Sequence, residues 1–114
     1  MKIEVEERGS TVIISYDGDL SLKNIDEFDH SFKRYVNSGL DVIALDLKYI
    51  EHLDSFGLSR IIKVSRAFAG STTEFIIINM NQDIHRIFKI TTFDKFFKIM
   101  TMKEFSKKYF PDID

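Results

Sequence analysis

Val42-Ile43-Ala44-Leu45-Asp46-Leu47-Lys48-Tyr49-Ile50-Glu51-His52-Leu53-Asp54-Ser55-Phe56-Gly57-Leu58 is the stretch on which the fold turns. Its first six residues are nearly continuous in apolar character, as in a strand covered on both faces, whereas a half-exposed strand would alternate. From Leu58 onward Ile61, Ile62, Phe68 and Ala69 fall at helical spacing until Gly70, a residue suited to a left-handed cap. The helix must therefore begin within Asp54 to Gly57, with Asp54 or Ser55 as its N-cap and Gly57 where a side chain would obstruct close approach.

Outward from this centre, Glu74-Phe75-Ile76-Ile77-Ile78-Asn79 reads as a second buried strand, and Ile84, Ile87, Phe88 and Thr91 outline a further helix. Phe96-Phe97-Lys98-Ile99 is expected to form a short last strand. Thr101 and Glu104 have capping-box spacing, and Met102, Phe105 and Tyr109 share one helical face up to Pro111. Toward the amino terminus, Ile3 and Val5 alternate with charges, Glu7-Arg8-Gly9-Ser10 interrupts, and Val12 to Tyr16 resumes a β-favouring run, which together predict a hairpin. Ile25, Phe28, Phe32, Tyr35 and Val36 then mark a helix, with Ser21 as the expected N-cap and Gly39 as its stop. The reading is one α/β domain over residues 1–114 with a mixed sheet in the order β-β-α-β-α-β-α-β-α. Leu45, Leu47, Ile61, Ile62, Ile76 and Ile78 are expected to share one core.

Strands joined through helices are expected to be parallel, so the carboxyl ends of the second, third and fourth should meet at one edge. That edge would carry three loops, Asp17 to Ser21, His52 to Gly57 and Asn79 to Asp83, and open α/β sheets place functional groups there. Ser55 would be a hydroxyl at a helix amino terminus, where backbone N–H groups and the helix dipole accommodate an added phosphate. Phe28, Phe32, Phe68, Phe75 and Phe88, among eleven phenylalanines, fall on core-facing positions. Phe56 precedes the established helix register and is expected to be an exposed interface anchor.

Composition narrows the function classes. Apolar residues are 44% and charged residues 30% of the 114, near the averages of globular chains. The absence of cysteine excludes disulfides, thiolate metal sites and cysteine nucleophiles. The charged start Met1-Lys2-Ile3-Glu4-Val5-Glu6-Glu7 lacks the apolar block of a signal peptide, and no run reaches the roughly 18 apolar residues of a membrane span, so a cytoplasmic location without membrane partners is expected. A net charge of −2 argues against nucleic acid, and Lys103, Lys107 and Lys108 with Glu104 read as a solvated helix face. Catalysis is not expected: Leu53-Asp54-Ser55-Phe56-Gly57 lacks the first glycine of the hydrolase elbow, and His52 is the only histidine near it in sequence. His30 and His85 have no partners at metal-ligand spacing, Asp17 and Asp19 read as turn residues around Gly18, and no metal or cofactor is expected.

The Asp46 to Leu58 stretch resembles the signature of STAS domains, the fold of anti-sigma factor antagonists: an apolar strand ending in Asp, then Asp-Ser, a variable residue, Gly and Leu. Gly18-Asp19-Leu20-Ser21 is similar to that family's Gly-Glu-apolar-Asp turn, and Arg86-Ile87-Phe88-Lys89-Ile90-Thr91-Thr92-Phe93-Asp94 to its third-helix segment. The resemblance implies a protein that binds an anti-sigma factor serine kinase and releases a sigma factor, with phosphorylation reversing binding and a phosphatase restoring it. It makes Ser55 the acceptor and Asp54, Ser55, Phe56, Gly57 and Leu58, with Asp19 and Ser21, the partner-binding residues. The departures are Phe56 where many members carry a second Ser or Thr, Ser21 for Asp, and Thr92 where Gly is common. The alternative within the fold is a scaffold or accessory subunit of a stress-sensing or lipid-transport complex that binds without a phosphorylation switch.

Overall fold

The computed structural model of the chain describes residues 2–109. Its elements are β1 (Lys2–Arg8), β2 (Thr11–Leu20), α1 (Ile25–Lys33), β3 (Val42–Leu53), α2 (Ser55–Phe68), β4 (Glu74–Ile78), α3 (Gln82–Ile90), a 3-10 turn (Phe93–Lys95), β5 (Lys98–Met100) and α4 (Met102–Tyr109). Apart from the 3-10 turn this is the expected order. The strands form one sheet ordered β1-β2-β3-β4-β5, in which β1 is antiparallel to β2 and every other neighbour pair is parallel. Because that order never reverses, right-handed crossovers put α1, α2 and α3 on one face and leave the opposite face to α4.

The period-two alternation of β3 and β4 divides the apolar residues between those faces. Ile43, Leu45 and Leu47 point with Ile77 into the larger cluster, built with Phe28, Phe32, Ile61, Phe68 and Phe88 from the helices. Val42, Ala44, Ile76 and Ile78 point the other way, onto Phe105 of α4. The single core expected from the sequence is therefore two, and Ile76 and Ile78 do not share one with Leu45 and Ile61. Ile62 is only partly buried, since the fully buried stripe of α2 runs through Leu58, Ile61, Val64 and Phe68.

Several boundaries differ from expectation for local physical reasons. Ser21 does not cap α1: its carbonyl accepts from Asn24 N at 3.0 Å, so a turn intervenes and the helix starts at Ile25. At the other end α1 stops at Lys33 rather than Gly39. Short-range bonds from Tyr35 N to Phe32 O and from Ser38 N to Tyr35 O keep Tyr35 against the core beyond the regular helix. Strands β2 and β3 outlast their apolar runs because the parallel ladder resumes after two register shifts, pairing Asp19 with His52 and Leu20 with Leu53. Phe96 and Phe97 precede β5 instead of forming it. The α2 stop at Gly70 and the Thr101–Glu104 capping box are as expected, Gly70 having φ +79 and the box bonds measuring 2.9 and 3.1 Å. The expected role of Pro111 lies outside the described residues.

Helix α4 is anchored by Phe105 and by a polar clasp at its end, where Tyr109 Oη donates to Glu74 at 2.9 Å and Lys98 forms an ion pair with the same carboxylate. The bond from Lys98, and secondarily that from Tyr109, hold the Glu74 carboxyl below its ordinary pKa against the opposing effect of partial burial. A lowered folded-state pKa gives stability that is complete above the unfolded value of about 4.3 and lost as pH falls through the folded value. Amide protection in α4 should therefore decline on acidification below pH ~4, and Glu74→Gln should remove that pH-dependent component. Equal acid sensitivity of the two proteins would contradict the clasp. In denaturant melts, Ile61→Ala should cost about 2–5 kcal/mol, with Ile62→Ala clearly less because its side chain already meets solvent.

Candidate functional site

Helix α2 begins where β3 meets the end of β2. Asp54, extended at φ −93° and ψ 179°, is its N-cap: Oδ1 accepts from Gly57 N at 2.8 Å. Its other oxygen accepts from Leu22 N, across the β2–α1 loop, at 3.3 Å, while Asp54 N donates to Leu20 O at 3.4 Å. One carboxylate thus joins two loops more than thirty residues apart. Gly57 lies against the same Leu20 carbonyl, and a Cβ there would sit 2.3 Å from that oxygen. The glycine is required for close approach, as expected from sequence.

Asp54 takes the capping role that sequence left open between it and Ser55. Ser55 is the first helical residue and is exposed, and among the described residues its hydroxyl makes no hydrogen bond. Its amide and that of Phe56 also lack intrahelical acceptors, as the first N–H groups of any helix do. Phe56 is 49% exposed, as expected, whereas Leu58 is buried and donates its amide to Asp54 O at 3.0 Å. Asp19 is exposed at the end of β2, with its carbonyl accepting from Asn24 Nδ2. Ser21 is half-buried, and its amide donates to Asn24 Oδ1 at 2.8 Å. All seven candidate residues belong to the two segments joined at this edge, although of the expected Asp17–Ser21 and His52–Gly57 loops Asp17–Leu20 and His52–Leu53 are strand and Ser55–Gly57 is helix.

Two further residues shape the edge without a local sequence signal. Asn24 spends its amide on Asp19 and Ser21, and Leu22 places a 57% exposed apolar side chain on the loop that Asp54 holds. The third loop is tied in similarly: Asn81 Oδ1 caps α3 at Ile84 N and its Nδ2 donates to Ile50 O, both at 2.9 Å. Asp17, Asp19, Glu51 and Asp54 are exposed along the edge, against Lys23 and His52. Neither a His52–Ser55 hydrogen bond nor a group of three potential metal ligands occurs among the described residues. Asp54→Ala should cost about 1 kcal/mol as a lost cap and speed hydrogen exchange at both Gly57 and Leu22 amides. Gly57→Ala should cost about 1–3 kcal/mol by overpacking. Accelerated exchange at Gly57 alone would refute the shared carboxylate.

The STAS-domain family model matches residues 2–106. A Thermotoga maritima protein described as "Putative anti-sigma factor antagonist" is 29% identical over 93 residues, covering 77% of this chain and 79% of that one. A crystal structure of a Thermotoga maritima protein described in the same words superimposes with TM-score 0.83 at 25% identity, over 93% of this chain and 92% of the other. SpoIIAA, an anti-sigma factor antagonist solved in unphosphorylated form, shares the fold at TM-score 0.71 and 16% identity, over 98% of this chain and all of its own. With a domain model spanning nearly the whole chain and a sheet, helix order and Asp-Ser-x-Gly-Leu edge that fit it, the protein belongs to the STAS-domain family.

Proposed function

We propose that the protein is an anti-sigma factor antagonist. In this reading it binds an anti-sigma factor serine kinase through the Asp54–Leu58 and Asp19–Ser21 edge, frees a sigma factor, and is switched by phosphorylation on Ser55. The observation that carries it is the division of labour at the start of α2: Asp54 caps, so the Ser55 hydroxyl stands exposed and unengaged. The names of its relatives support the general role. The chain itself acts as a binding partner and substrate, not as an enzyme, in a cytoplasmic setting. No helix among the described residues is long and apolar enough to cross a membrane.

In the transfer step Ser55 Oγ attacks the γ-phosphorus of ATP. The Oγ–P bond forms as the bond to the β,γ-bridging oxygen breaks, ADP leaves, and the hydroxyl proton passes to a base of the kinase. The product is tolerated by the fold, since the free helix N–H groups and the dipole favour an anion at this position. It nonetheless adds about −1.5 to −2 charges to an edge already carrying Asp19, Glu51 and Asp54. A kinase surface that packs tightly on the unmodified edge must then desolvate charge without a matching cation. A phosphatase that hydrolyses the ester restores the binding form.

Exposed Phe56 favours a second reading, in which an apolar anchor holds a partner constitutively and the protein is a scaffold subunit of a stress-sensing or lipid-transport complex. The two readings separate by experiment. With the cognate kinase and ATP, peptide mass spectrometry should place phosphate on Ser55 and affinity should fall at least about tenfold, or 1.4 kcal/mol, while Ser55→Ala stays bound and melting is unchanged. Phe56→Ala should weaken binding by about 1 kcal/mol or more in either reading. Unmodified Ser55 with an active kinase, or equal affinity before and after modification, would leave the scaffold reading.

A further inference from the structure

Along the carboxyl half of α2, from about 10 Å beyond Ser55 at Ile62 to about 20 Å at Ala69, a groove of some 460 Å³ separates that helix from the segment leading into β5. Its floor is Phe75 and Phe97, whose ring centroids lie 6.5 Å apart. Ile62 and Arg66 line the α2 side, with Phe93 and Phe96 opposite them in an edge-on pair at 6.3 Å. Phe96 is 73% exposed, a large apolar area to leave in water on a small domain. The half-burial of Ile62, on a helix whose core stripe is otherwise complete, opens the same groove.

The charges around it have one prevailing sign. Arg66 forms no ion pair or side-chain hydrogen bond among the described residues. Lys98 lies on the rim with one carboxylate partner, Glu74, and Lys95 is exposed in the adjoining turn. The neighbouring α3, which packs against that turn, exposes Lys89 and Arg86, the latter beside Asp83 at 3.9 Å. Asp94 is the opposing acid of the turn. The switch edge, by contrast, is acidic.

We propose that this groove is a second protein-docking site, which takes an acidic segment of a partner carrying one large apolar side chain. The apolar group fills the space between Ile62 and Phe96 over the Phe75–Phe97 floor, and a flanking carboxylate pairs with Arg66. Charge complementarity selects the acidic partner. Nucleic acid fits less well, because phosphate tracking needs a run of uncommitted cations and here the lining is aromatic with Arg66 as its free donor. The site lies apart from Ser55, so occupancy at the two ends of α2 is independent.

The test is selection of short random peptides displayed on phage against the full chain, followed by fluorescence anisotropy with the enriched peptides. Enrichment of sequences that place an aromatic or large aliphatic residue beside Asp or Glu is expected. Phe96→Ser and Arg66→Glu should each weaken them about tenfold or more, Arg66→Lys much less, and Ser55→Glu not at all. Both altered positions are at the surface, so melts of the variants should match the parent chain. No enrichment, enrichment of neutral or basic peptides, or binding indifferent to both substitutions would overturn the proposal. Phe96-dependent binding of oligothymidylate would reassign the groove to nucleic acid, and concentration-dependent dimerisation abolished by Phe96→Ser would reassign it to a second copy.

Discussion

The Asp54 carboxylate satisfies two backbone donors from different parts of the chain, Gly57 N in its own helix and Leu22 N in the β2–α1 loop. Those two bonds hold the start of α2 against the end of β2, and the contact is so close that Gly57 has no room for a methyl group beside Leu20 O. The arrangement of the edge depends on this closure. A serine in the capping position would spend its hydroxyl on the same amide, whereas an aspartate there leaves the next hydroxyl to solvent. The availability of Ser55 is thus a consequence of what Asp54 does, and a shift of the cap by one residue would remove it.

The sheet above this edge explains both what sequence pattern reveals and where it fails. Apolar runs at Val42–Leu47, broken only by Asp46, and at Phe75–Ile78 announce strands buried on two faces, and the 3.6-residue spacing of α2 and α3 announces their helices. Continuity, however, erases the alternation that tells one face from the other. Ile76 and Ile78 therefore look like partners of Leu45 until the helix positions are known. The strand ends were hidden for a related reason. Lys48, Tyr49, Glu51 and His52 are exposed, and they continue β3 because β2 supplies hydrogen bonds, not because their own side chains favour burial.

At the site, Asp54, Ser55, Phe56 and Gly57 were legible because caps, helix starts and close-packed glycines leave local signatures. Asn24 and Asn81 were not. Asn24 turns its amide back onto Ser21 N and Asp19 O within five residues, and Asn81, besides capping α3 at Ile84 N, reaches Ile50 O across 31 positions in the chain. No spacing rule anticipates such a bond. Ser21 departs from expectation for the complementary reason: its type suits a cap, but Asn24 pulls the preceding turn back onto Asp19 and delays the helix. Thr92 is a departure of another kind. It holds φ +59°, a conformation costly for a β-branched residue, so the turn into the aromatic segment is imposed by packing of Phe93 and Phe97 rather than by local preference.

These constraints act through the two ends of one helix. At its start, α2 presents unsatisfied N–H groups beside an acidic edge, an arrangement that tolerates a phosphate within the fold yet makes the same phosphate unwelcome to a closely packed partner. At its other end, the stop at Gly70 leaves Arg66 on a last turn where a cation is favoured by the dipole and no carboxylate of the described chain engages it. Between them α2 is packed on the core through Ile61, Val64 and Phe68. On the proposed reading a charge added at Ser55 would change what the edge can bind while leaving the sheet, the second core and the aromatic groove as they were.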